Sequence, residues 1–406
     1  MSDFFQNGVI ATLHRLDERP ADALDDDLRQ WSSERPMALV IPCLFSELRG
    51  PALSAIVDEI AEIDYLNEVI IGIDQADEAE FAEARSFFDR LPQRTRLLWN
   101  DGPRLQAVHR ELDDRMLAPE QPGKGRNVWY CLGYFLASGR CSAVALHDAD
   151  ILTYERSIVS RLLYPIVHPT FGYSFSKGYY FRSDGQRLNG RVVRLLVTPL
   201  IRALRSTIGD DEYLRYLDSF RYPLAGEFAM EADLVRSIRI PSDWGLEIGV
   251  LSEVYRIYRT RRICQVDVAG RYDHKHQDLS AADPDAGLHK MSCDIAKAVF
   301  RKLAIDGAVL SPETFRTVKA AYYREALDLV DQYQNDATLN GLDFDRHQEE
   351  TAVEVFSQAI MDAGSRFLAS SMETPFIPNW SRIESALPQV MTQLYDSVEA
   401  DNQTEP

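Results

Sequence analysis

No stretch of about 18 consecutive apolar residues occurs in this chain, so a membrane-spanning helix is not expected. The N-terminus, Met1-Ser-Asp-Phe-Phe, lacks a basic region followed by an apolar one, which argues against secretion. Cysteine is scarce: Cys43, Cys131, Cys141, Cys264 and Cys293 are odd in number, widely spaced and include no Cys-x-x-Cys pair. That pattern disfavours a disulfide framework and a zinc ribbon and fits a reducing cytoplasm. Positive charge is also short, with a net charge of -19, so nonspecific binding to nucleic acid is disfavoured. An anionic ligand would need a local basic cluster. There is no internal repeat, no low-complexity tract and no Gly-x-x-x-x-Gly-Lys-[Ser/Thr] phosphate loop.

What remains is an ordinary globular composition, 45% hydrophobic and 26% charged over 406 residues, enough for one large core with appendages or for two domains. After a polar, acidic arm whose apolar patch Gly8 to His14 is expected to dock, Met37 to Pro42 reads as a buried strand ended by its proline. A helix is expected from Ser46, then a strand from Glu68 to Asp74, a helix over 78–90 and a strand from Thr95 to Asn100. This strand–helix alternation predicts an α/β class with a mostly parallel sheet. Strands are further expected over Cys141 to Leu146, within Phe171 to Arg182 and over Ile263 to Gly270. From Leu279 the chain reads as helical, with a polar tail from Glu399 expected to fray.

Several stretches carry chemistry. Leu146-His-Asp-Ala-Asp-Ile151 puts Asp148 and Asp150 at the end of a strand, where α/β sheets bind ligands. Two carboxylates there suit Mg2+ or Mn2+ shared with phosphate oxygens, although a short Asp-x-Asp is also common in solvated turns. Gly123-Lys124-Gly125 precedes an amphipathic helix, a setting for an anion or simply a flexible loop. Arg191 and Arg194 open a helix after Asn189-Gly190, which is unfavourable for the dipole unless an anion sits there. Glu227 and Glu247 each stand alone among small and apolar residues, so each must be paired, hydrogen-bonded or neutral. His274 and His276 follow the Ile263 strand and could supply one metal ligand.

Taken in order, these segments resemble the retaining glycosyltransferases that make glucosyl-3-phosphoglycerate and mannosyl-3-phosphoglycerate, over about residues 8 to 300. The match runs through Pro42-Cys43-Leu-Phe-Ser-Glu47, Asp74, Gly123-Lys124-Gly125, Asp148-Ala149-Asp150, Gly190-Arg191-Val192, Pro223 to Glu227, Gly245 to Gly249 and His274. Val193 stands where family members often carry a Thr, and Lys275-His-Gln-Asp278 replaces an Arg-Asn-Arg-Pro seen in some.

The resemblance implies a GT-A nucleotide-sugar-binding fold, Rossmann-like and mostly parallel, with a helical C-terminal extension. It divides the chain into an arm (1–35), a nucleotide-sugar half (36–152), an acceptor and catalytic half (153–280) and the extension (281–406). It implies Asp150 and His274 as ligands of Mg2+ or Mn2+. Pro42, Cys43, Glu47, Asp74, Lys124 and Asp148 would hold the donor, Gly190, Arg191 and Arg194 the acceptor, and Glu227 and Glu247 would be catalytic. Expected partners are a nucleotide-sugar and a 3-phosphoglycerate-like acceptor, and a homodimer is the expected assembly. A sugar nucleotidyltransferase would share the sheet and the paired carboxylates, but should be Gly-rich after its first strand, where this chain has Pro42-Cys-Leu-Phe. A noncatalytic nucleotide-sugar binder and an enzyme acting on free glycerate are the other readings. Replacing Asp150 by Ala is expected to abolish metal-dependent transfer while circular dichroism stays unchanged, and undiminished turnover would contradict the assignment.

Overall fold

The computed structural model describes residue 6 and residues 8–16, 19–274, 287–370 and 376–403. Its centre is an eight-stranded sheet built from β1 (Ala11–Leu13), β2 (Met37–Leu44), β3 (Leu66–Asp74) and β4 (Arg94–Trp99). The other strands are β5 (Ala143–Leu146), β6 (Phe175–Arg182), β7 (Phe228–Glu231) and β8 (Ile263–Tyr272). In space the order is β1-β8-β6-β7-β5-β2-β3-β4. Every neighbouring pair is parallel except those of β7, which runs antiparallel to β5 and β6.

Alternate side chains on a strand point to opposite faces, and β2 shows the consequence. Ala38 and Val40 enter one hydrophobic core, whereas Met37, Leu39 and Ile41 enter another. The first core continues without a break into the helical third, through helices Gly287–Ile305, Pro312–Leu339 and Arg346–Ala369. The second lies under helices Leu53–Ala61, Glu78–Phe88 and Ser157–Val167. Among the described residues no helix is long and apolar enough to cross a membrane.

The structure corrects several expectations. Pro42 does not end the first strand but lies inside β2, opposite Gly72. The Val40 carbonyl faces β5, where it accepts from His147 N, and Pro42 faces the same side beyond Leu146, the last residue of β5. Its missing N–H therefore removes no ladder bond. The helix expected from Ser46 is a 3-10 turn, Phe45–Arg49, and the α-helix starts only past Pro51, which cannot sit inside it. The apolar patch of the arm is β1, added parallel to the edge of β8, and the acidic stretch after it forms a helix, Ala21–Trp31, that buries Leu24 and Leu28.

The tail is not frayed. Helix Gln389–Asn402 brings Glu399 against Arg94 at 2.8 Å, Arg96 at 3.0 Å and the Tyr134 hydroxyl at 2.6 Å. The Asn402 amide exchanges two hydrogen bonds with the Leu97 backbone, 2.9 and 2.8 Å, as another strand would. Residues 404–406 lie outside the described residues. A further helix, Trp380–Ala386, stacks Trp380 on Trp129 at 4.0 Å, and each indole N–H donates to a carbonyl, of Trp129 and Pro378 respectively. Trp380 is 1% exposed, so Trp380→Ala is expected to lose about 3–5 kcal/mol in denaturant unfolding. An unchanged unfolding midpoint would show that this helix contributes nothing to the core.

Candidate active site

Seven of the eight strands run the same way, so the carboxyl ends of β2, β3, β5, β6 and β8 open on one edge of the sheet. That edge is where α/β sheets bind ligands. The reversed strand β7 begins there, which delivers Glu227, the residue just before it, to the same edge.

After β5 the chain turns through His147 to Ile151. His147 is fully buried, with one ring nitrogen 3.0 Å from the Asp148 carbonyl and the other 3.0 Å from the Tyr154 hydroxyl. Burial lowers it to about 4, so it is a neutral brace. Ile151 forms an antiparallel bridge with His274, and Leu152 N donates to the Asp273 carbonyl at 2.8 Å. This short pairing sets Asp150 Oδ2 3.6 Å from His274 Nδ1, with the two side chains 25% and 24% exposed. One oxygen and one imidazole nitrogen, reachable from solvent, fit a hard or borderline divalent cation whose other ligands come from phosphate and water. No group of three or more such side chains occurs among the described residues, and His276 lies outside them.

Lys124 sits at the centre. It is the first residue of helix Lys124–Ser138, and its ammonium lies 2.6 Å from Asp148 Oδ1 and 3.1 Å from Glu247 Oε1. Burial opposes its charge, but Asp148 and Glu247 outweigh burial and hold it above the ordinary lysine value. Burial likewise opposes the Asp148 charge, and Lys124 keeps that carboxyl below its ordinary value. Glu227 is fully buried, bonded by the Tyr272 hydroxyl at 2.5 Å and the Tyr180 hydroxyl at 2.8 Å, with those rings stacked at 3.6 Å. Burial and the nearby Asp148 raise it despite the tyrosines. Gly226 touches Asp148 so closely that an added Cβ would lie 2.5 Å from Oδ2.

The donor-side expectations fall around this cluster. Asp74 is buried, held by Arg126 at 3.0 Å and the Asn127 amide at 3.3 Å. Pro42 and Cys43 are buried, and the Cys43 thiol, pushed up by burial and by Glu47, Asp150 and Asp74, donates to the Leu44 carbonyl. Glu47 is half-buried on the 3-10 turn.

On the acceptor side Gly190 adopts φ +74, and a Cβ there would meet the Tyr222 hydroxyl at 3.2 Å. Arg191 keeps an open face, its side chain 25% exposed. Arg194 does not. Its side chain is 8% exposed and closed in by Glu349 at 2.8 Å, the Asn189 carbonyl at 2.9 Å and the Tyr333 ring at 4.8 Å. The helix start, unfavourable to two arginines through its dipole, is thus answered by a carboxylate of the chain, Glu349.

Sequence reasoning missed Lys177, Arg126, Arg182 and the tyrosines. Lys177 is 1% exposed on β6 and donates to the Ala225 carbonyl at 2.5 Å. Its only signal was a lone lysine in an aromatic strand.

No family model matches the chain. Among curated proteins it is 44% identical over 402 residues to the glucosyl-3-phosphoglycerate synthase of Persephonella marina, covering 99% of both chains. It is 37% identical over 406 residues to the enzyme of the same name from Methanococcoides burtonii, covering 98% of both. A Mycobacterium tuberculosis glucosyl-3-phosphoglycerate synthase, solved with Mn2+, UDP-glucose and phosphoglyceric acid, superposes with a TM-score of 0.54. It is 22% identical, with 73% of this chain and 88% of that one covered, a likeness of fold.

Burial lowers the Lys177 ammonium from 10.5 to about 8, against the pull of Glu247 and Glu227. The folded chain binds this proton less tightly than the unfolded one, so the group weighs against folding below about 8 and stability rises from there toward 10.5. Over that window the chain is expected to gain up to about 3 kcal/mol relative to Lys177→Met in urea unfolding. Parallel pH profiles of the two would contradict this.

Proposed function

The chain belongs to the glucosyl-3-phosphoglycerate synthase family, and from that membership we propose that it transfers glucose from a nucleoside-diphosphate glucose to the 2-hydroxyl of 3-phospho-D-glycerate, with retention. The observation that carries the reading is the convergence of Asp150 and His274 with the Lys124, Asp148 and Glu247 cluster at the sheet's carboxyl edge.

Asp150 and His274 would hold Mg2+ or Mn2+, which when bound supplies positive charge against the diphosphate of the donor. Lys124, at a helix N-terminus, adds an ammonium and the dipole to the same task. Asp148 keeps that ammonium charged and supports the metal side without needing to ligate directly. Asp74, Pro42, Cys43 and Glu47 line the base and ribose end. Arg191 and the Gly190 turn receive the acceptor's phosphate or carboxylate by charge-assisted hydrogen bonds. Glu247 orients the attacking hydroxyl, and Glu227, fixed on both oxygens by tyrosines, faces the positive charge that develops on the sugar. As the sugar–phosphate bond breaks, the acceptor oxygen bonds to the same face of the sugar and its proton passes to the departing phosphate oxygen.

The five cysteines are all free and buried, which supports a reducing cytoplasm. Exposed Ile305 and Val309, at the junction of helices Gly287–Ile305 and Pro312–Leu339, support a homodimer. The test is incubation with UDP-, GDP- or ADP-glucose, Mg2+ and 3-phosphoglycerate while released nucleoside diphosphate is followed. Release is expected to require the acceptor, to stop on chelation and to return with Mg2+ or Mn2+. Acceptor-independent release would overturn the acceptor, and pyrophosphate formed from a nucleoside triphosphate would favour a nucleotidyltransferase.

A further inference from the structure

We infer that the helical pair Pro312–Leu339 and Arg346–Ala369 completes the acceptor side of the site, with Glu349 the positioning residue that aims Arg191. The inference rests on the acceptor role proposed for Arg191 and gives the helical third a part in it.

Glu349 lies in the first turn of helix Arg346–Ala369, where the dipole favours a carboxylate, and is 4% exposed. Its two oxygens divide two arginines: Oε1 accepts from Arg191 Nε at 2.8 Å, and Oε2 lies 2.8 Å from Arg194 Nη1. The neighbouring Gln348 Oε1 accepts from Arg191 Nη2 at 2.8 Å. The rest of the helical pair grips the same segment. Asp343 N donates to the Gln186 carbonyl at 2.7 Å, and the Tyr333 ring lies under Arg194 at 4.8 Å. Pro199 has no N–H for the carbonyl four residues before it, that of Leu195, and the Tyr322 hydroxyl fills the place at 2.6 Å. That opening coincides with a π-helical turn, Val193–Val197, a distortion that helices often carry at functional sites.

The donor count gives this arrangement its meaning. A guanidinium has five N–H donors in a fixed plane. Arg191 commits one at Nε and one at Nη2, both on the side of the helical pair, and its Nη1 and outer Nη2 hydrogens stay available. Arg194 is consumed by Glu349 and by the Asn189 and Leu188 carbonyls. One carboxylate between two guanidiniums leaves one positive charge uncompensated, and the partly exposed one is Arg191. Glu349 thus orders the Arg191 side chain before the acceptor arrives, which lowers the entropy cost of binding a phosphate or carboxylate.

The test begins with the unsubstituted enzyme, because failure to use 3-phosphoglycerate there removes the acceptor reading itself. Given that activity, Glu349→Gln is expected to raise the acceptor KM about tenfold, the loss of one charged hydrogen-bonding partner. The donor KM and the kcat at saturating acceptor should stay within about twofold. Glu349→Asp, which keeps the charge on a shorter arm, should recover part of the acceptor KM. Gln348→Ala, at an exposed position, should raise the acceptor KM by about threefold and carries the test should Glu349→Gln not fold. An unchanged acceptor KM in both variants, or donor and acceptor KM rising together with falling kcat, would overturn the inference and leave Glu349 a purely structural ion pair.

Discussion

The ammonium of Lys124 is the contact on which the site depends. Four carboxylates, Asp148, Asp150, Glu227 and Glu247, are brought to one edge of the sheet. Like charges about 4 Å apart cost on the order of 4 kcal/mol where the effective dielectric is near 20, so such a group cannot stay ionised without cations. Lys124 answers two of the four at once, at 2.6 and 3.1 Å, and so sorts them by role. Asp148 is spent on the lysine, whereas Asp150 faces His274. Glu227 is handled differently: burial and the Asp148 charge raise it above its ordinary value, and two tyrosine hydroxyls bond it and oppose that rise.

One reversed strand makes this convergence possible. A wholly parallel sheet would carry the approach to every strand at the far edge. With β7 antiparallel between β5 and β6, the segment Ala225 to Glu227 enters at the ligand edge instead. Lys177 on β6 ties down the Ala225 carbonyl, and Gly226 lets the backbone lie directly on Asp148. The loop after β5 and the loop before β7 are therefore packed against each other through a position where no side chain fits.

The strand ends were legible in the sequence because they depend on local pattern. Apolar runs closed by Asp74, by Asp148 and Asp150, or leading into His274 announce both a buried strand and a polar end. The partners that tune them were not legible. Lys177 reads as one lysine in an aromatic strand until β7 is laid beside it. Arg194 reads as a surface cation until Glu349, far along the chain, closes on it. Pro42 looks like a strand terminator because the pattern along β2 does not reveal that β5 stops short beside it. Each miss has one cause: the deciding contact joins elements remote in sequence, whereas periodicity and turn chemistry report only on neighbours.

The helical third uses the same device twice, with different consequences. Glu399 sits between Arg94 and Arg96, and burial notwithstanding, those arginines and Tyr134 hold it down to about 2. Its stabilisation is in place above the ordinary carboxylate value of 4.5 and is lost only as pH falls toward 2. Arg94 and Arg96 belong to β4 at the rim of the sheet, so that clamp closes an edge. Glu349 sits between Arg191 and Arg194, but only Arg194 is buried with it. A carboxylate shared by one closed and one open guanidinium fixes the first and presents the second. Removing it would leave two cations facing each other, with the open one free to swing away from the Gly190 turn. The extension is thus anchored at Glu399 and engaged at Glu349, and only the second of these contacts touches Arg191, the residue proposed to receive the acceptor.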